Sequence, residues 1–88
     1  MSKRLSWAVR LERAEKRGKF TDFEIQRAGE YLTCAIGERH SFPQGDEDEF
    51  HSTLTKEETE LGYEFYYMMT KQNIPEAKRI YAEIQALP

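Results

Sequence analysis

Apolar residues recur every three or four positions through most of the chain, the period of amphipathic helices. Over residues 2–17, Trp7, Leu11 and Ala14 fall at i, i+4 and i+7, with Leu5 and Val9 on an adjacent stripe. Gly18 follows a basic last turn of Lys16 and Arg17. That is a helix stop, because cations suit the negative helix end and glycine tolerates the left-handed turn. Thr21 with Glu24 then makes a capping box, flanked by Phe20 and Ile25 as a hydrophobic staple. It opens a second helix over 22–36, whose core stripe is Ile25, Ala28, Leu32, Ala35 and Ile36. Phe23, Tyr31 and Cys34 form a lesser stripe, and Gly37 is the expected stop.

A second capping box, Thr55 with Glu58, opens a third helix over 56–72. Leu61, Phe65, Met68 and Met69 line one side of it, and Tyr63, Tyr66 and Tyr67 line the other. Asn73 ends this helix and caps a fourth over 75–87, with Pro75 in its first turn. Ala77, Ile80, Tyr81, Ile84 and Leu87 give the fourth helix its stripe. Short connections near Gly18 and Asn73 make sequential neighbours antiparallel. The predicted fold is therefore all-α: four helices as two antiparallel αα-hairpins, joined by an acidic loop over 38–54.

Composition narrows this further. At 88 residues the chain is sized for a single helical domain, residues 1–88. Aromatic residues at 12% argue against disorder. No apolar run approaches the ~18–20 residues of a membrane span, so no membrane partner is expected. The basic start is not followed by the apolar stretch of a secretory signal. One cysteine cannot form an internal disulfide, which fits a reducing, cytoplasmic setting.

Charge is unevenly spread. Residues 1–19 carry a net +5 and the remainder −8, giving −3 for the whole. A basic first helix presenting Arg10, Arg13 and Arg17 is a candidate contact for nucleic acid or an acidic partner, through counterion release. Glu12 and Glu15 interrupt that face and the isoelectric point is 5.4, so a solvated, internally paired helix is the plainer expectation.

Little in the chain suggests catalysis. Cys34, His40 and His51 lack the paired spacing of a zinc site. Cys34 falls near a predicted helix C-terminus, where the dipole disfavours thiolate, so a structural thiol is expected. The run Asp46–Glu49 lacks the ligand spacing of a calcium loop. No phosphate-binding, dinucleotide or nucleophile-elbow motif occurs, so neither enzyme activity, nor metal, nor cofactor is expected. The aromatic helix is the stronger feature. Tyrosine and methionine suit contact surfaces, and Tyr63, Tyr66 and Tyr67 are the residues expected either in the core or against a protein partner or second copy.

Leu61–Pro88, about a third of the chain, also resembles a degenerate tetratricopeptide-type hairpin. The resemblance rests on Leu61-Gly62 with Phe65, then Ala77, Tyr81, Ile84 and a final Pro88. It implies αα-hairpin geometry and, by analogy, a protein-binding role. The functional expectation is a small, non-catalytic interaction or regulatory module, possible as a dimer. A nucleic-acid accessory protein is the alternative.

Overall fold

The computed structural model describes residues 6–30, 34–40 and 52–88. Within them the regular structure is all helical, in five helices: α1 (Trp7–Arg17), α2 (Asp22–Gly29), α3 (Ala35–His40), α4 (Lys56–Thr70) and α5 (Ile74–Ala86). Ser52 and Thr53 are helical as well.

The helix ends have local causes. Ser6 caps α1 by accepting from the Val9 N–H, so the described helix begins at Trp7. Gly18, at φ 90°, closes it by donating to the Ala14 carbonyl. Both capping boxes form completely: Thr21 with Glu24 starts α2, and Thr55 with Glu58 starts α4. Asn73 caps α5 by accepting from the Glu76 N–H, with Pro75 in the first turn.

One predicted helix is two. The stripe over 22–36 reads as continuous, yet α2 ends at Gly29, where Glu30 turns extended at φ −91° and ψ 135°. The chain re-enters helix at Ala35 and passes through Gly37 to His40, so Gly37 stops nothing and residues 38–40 are helix rather than loop. The reason lies in packing. Gly29 is a weak helix former, and a Cβ there would sit 3.0 Å from the Tyr66 ring. The break also lets Ala28 pack with α2 on α4, while Ala35 and Ile36 enter between α4 and α5. Tyr31, Leu32, Phe42, Phe50, His51, the run Asp46–Glu49 and residues 1–5 lie outside the described residues.

The arrangement has one hairpin at its centre. α4 and α5 pack along each other, joined through residues 71–73. α1 rests mainly on α5 and α2 mainly on α4, rather than on each other, and α3 touches both α4 and α5. The predicted first hairpin is thus replaced by separate helices laid around the second. Trp7 meets Phe65 edge-on, with centroids 5.3 Å apart and planes at 89°. Tyr81 also packs on Phe65, with centroids 6.1 Å apart. Met69, Ile80, Ile84, Leu11, Ala14 and Phe20 complete the buried centre.

Polar side chains help fasten these helices. The Gln72 carboxamide accepts from the Phe20 N–H at 2.7 Å and donates to the Phe20 carbonyl at 3.1 Å. It thereby ties the α1–α2 turn to the α4–α5 turn. Arg17 forks onto the buried Glu24 carboxylate at 3.1–3.3 Å. Glu38 receives the Trp7 N–H at 3.2 Å and the Tyr81 hydroxyl at 3.1 Å, which anchors the start of α1 to α3 and α5.

Candidate functional site

α4 carries aromatic groups almost all round, and the fold divides them sharply. Phe65 and Met69 are buried at the centre. Tyr63, Tyr66 and Tyr67 point away from it, with 70%, 37% and 52% of their surface exposed. Helical geometry explains the split: positions 63, 66 and 67 share a face about half a turn from 65 and 69. A tyrosine exposed in this way can keep its hydroxyl hydrated without a buried partner.

Tyr66 leans toward α2, its ring over Gly29. Between these helices opens a groove of about 250 Å³, lined chiefly by Ala28, Cys34, Ile36, Leu54, Gly62 and Tyr66, with Tyr63 at its mouth. Small residues create it. Gly29 lets the Tyr66 ring lie close, and a Cβ at Gly62 would come within 3.2 Å of Ile36. Phe23 on α2 is also exposed, with the Arg27 guanidinium 5.0 Å from its ring.

Cys34 sits at the start of α3, not at the end of a long helix as its sequence position implied. Its sulfur accepts from the Gly37 N–H at 3.3 Å. Burial pushes the thiol pKa up, against a smaller opposing pull from backbone amides. The group is a neutral thiol at pH 7. His40, at the other end of α3, is 2.5 Å from a Glu58 oxygen.

Glu58 lines the groove and is buried, with three partner residues on its carboxylate. It accepts from the Thr55 N–H at 2.9 Å, from Arg39 Nε at 3.2 Å and pairs with His40. Arg39 in turn donates to the carbonyls of Ile84, Leu87 and Pro88 at the end of α5. Desolvation raises the Glu58 pKa, but the Thr55 amide, His40 and Arg39 outweigh it and hold the carboxyl below its ordinary value of 4.5. Tyr81, half-buried and beside Glu38, has its hydroxyl pKa pushed up to about 12. These groups are spent on holding helices together.

The basic candidates are dispersed. Arg10 is buried, its guanidinium 5.2 Å from the Trp7 ring. Arg17 holds Glu24, while Arg13 is exposed. Lys16 pairs with Glu12 on the same helix at 3.5 Å, as the interleaved acids implied. Among the described residues no three His, Cys, Asp or Glu side chains gather as a metal site, and no helix is long and apolar enough to cross a membrane.

Sequence reasoning singled out the tyrosines but not the groove beside them, nor the Glu58 network beneath it. Gly29 and Gly62, placed within helical stretches at a cost in propensity, were the available signal. Comparison with protein-family models, curated proteins and solved structures finds no match.

Proposed function

We propose that this chain is a non-catalytic, cytoplasmic interaction module that binds through the outer face of α4. One observation supports it above the others: three tyrosines stand exposed side by side on one helix, next to an apolar groove. Exposing that much aromatic surface to water is unfavourable unless something covers it. Tyrosine is also suited to the task, since a rigid apolar ring with a polar tip gains contact area at low entropic cost. The anchor in this reading is Tyr63 or Tyr67 desolvated against a partner, with Glu60, Glu64 and Lys71 at the rim setting orientation. The lone Cys34, kept as a thiol, suits a reducing compartment.

The engaged state of Arg10 and Arg17 weighs against a nucleic-acid surface on α1. Affinity capture with the wild type, a Tyr63→Ala, Tyr67→Ala variant and Arg13→Glu tests the choice. Captured protein that survives nuclease, is lost with the tyrosines and is kept by Arg13→Glu is the expected result. Material released by nuclease and lost with Arg13→Glu would overturn it.

A further inference from the structure

The outer face of α4 has a polarity that the tyrosines alone do not reveal. Glu60, Tyr63, Tyr67 and Lys71 follow at i, i+3, i+7 and i+11, so they lie in one line along the helix, within an arc of about 80°. All four are exposed. From Glu60 to Lys71 the stripe is about 16 Å long, acidic at its start, basic at its end and aromatic between, with Lys56 one turn before Glu60 on the same line and Glu64 at its flank. Lys71 stays on the stripe, its ammonium 4.5 Å from the Tyr67 ring. Several other surface charges pair within the chain: Glu15 with Lys78, Glu30 with Arg27, and Arg79 with Glu76 and Glu83. Among the described residues no cation pairs with Glu60 and no carboxylate with Lys71.

A line with opposite charges at its two ends complements its own reverse. Laid antiparallel on a copy of itself, it sets each Glu60 opposite a Lys71 and brings Tyr63 against Tyr67, all twice over. A parallel alignment would set like charges together at both ends. A two-fold axis generates the antiparallel pairing from identical chains. Opposed helix dipoles favour it as well.

We propose that the partner of this face is a second copy of the chain, bound as an antiparallel α4–α4 dimer through Glu60, Tyr63, Tyr67 and Lys71. The inference rests on the reading of α4 as a binding surface and names its occupant. The pair is small. At ~200 Å² for a fully exposed tyrosine, Tyr63 and Tyr67, at 70% and 52% exposure, offer roughly 240 Å² per protomer, well under the ~800 Å² of a standard interface. A weak, transient dimer is what so small a face supports.

Sedimentation equilibrium of the full chain, with folding checked by circular dichroism, tests this. The wild type forms dimers between micromolar and millimolar concentration. Glu60→Lys and Lys71→Glu each weaken the dimer by roughly tenfold, because symmetry places every repulsion twice. Mixing the two variants restores association, since the lysine end of one meets the glutamate end of the other. Lys71→Arg keeps the dimer. A variant-free check is zero-length carbodiimide cross-linking of a mixture of isotopically labelled and unlabelled chains. It yields a Glu60–Lys71 link between a labelled and an unlabelled chain.

A wild type that stays monomeric at millimolar concentration overturns the dimer. So does a dimer that ignores both charge reversals and gives no such link. If the chain is monomeric while another protein is still captured through Tyr63 and Tyr67, the dimer fails and the interaction reading stands. If capture is also indifferent to the tyrosines, both fall.

Discussion

The two faces of α4 have nearly the same chemistry and opposite fates. Inside, Phe65 packs against Trp7 and Tyr81, and Met69 is wholly buried. Outside, Tyr63 and Tyr67 meet only the edge of a groove and a lysine tip. What separates them is the number of elements that close over each side. α1, α3 and α5 all reach the inner face, whereas α2 reaches only the flank near Tyr66. Aromatic content therefore does not distinguish core from contact surface on this helix. The hydroxyl does: phenylalanine and methionine went in, and the three tyrosines stayed where their oxygens are hydrated.

That contrast can be broken most forcefully from the inside. Phe65→Ala removes the ring that Trp7 and Tyr81 pack against and should cost ~3–5 kcal/mol. A domain of this size holds only about 4–13 kcal/mol in total, so urea unfolding should show the variant close to losing its fold. Tyr63→Ala and Tyr67→Ala should each change stability by no more than ~0.5 kcal/mol at high dilution.

Glu58→Gln comes next. It keeps a cap for α4 but deprives Arg39 and His40 of their charge partner, at a cost of about 2 kcal/mol. The pH dependence gives a second readout. The folded pKa of Glu58 lies below its ordinary value of 4.5. Its stabilising contribution is therefore present above that value and lost as pH falls through the folded pKa. Acid titration of stability should be shallower in Glu58→Gln than in the wild type. Equal slopes would mean that the Arg39–Glu58–His40 cluster does not bear on folding.

Gln72 sharpens the comparison at a smaller scale. It sits at φ 58°, the one left-handed non-glycine position among the described residues. Gln72→Ala should lose about 1–2 kcal/mol with the two hydrogen bonds to Phe20. Gln72→Gly loses the same bonds but recovers about 1 kcal/mol of backbone strain. Glycine should therefore be the milder substitution in thermal unfolding, and alanine being milder would mean that the clamp is not what holds this turn.

Much of this architecture is legible in the chain. Thr21, Thr55, Asn73 and Gly18 announce helix ends through groups only three or four residues away, and all four act as the pattern predicts. The α2–α3 break is not legible, because Ala35 and Ile36 keep the spacing of a continuous helix even though the chain turns to deliver them elsewhere. Equally invisible are the contacts of Gln72 with Phe20 and of Arg39 with the end of α5, which join residues about fifty apart in sequence and leave no local mark. Periodicity placed Tyr63, Tyr66 and Tyr67 on one face. It could not say whether another helix covered that face, since this depends on where α2 ends.

The measurement that bears most directly on the central claim uses one variant and two readouts. Tyr63→Ala combined with Tyr67→Ala is unfolded in urea at high dilution, and its association, with itself and with captured protein, is measured in parallel. The expected result is an unfolding free energy within ~1 kcal/mol of wild type together with lost association. A protein that loses its fold along with its partners would show that the outer face of α4 is core after all.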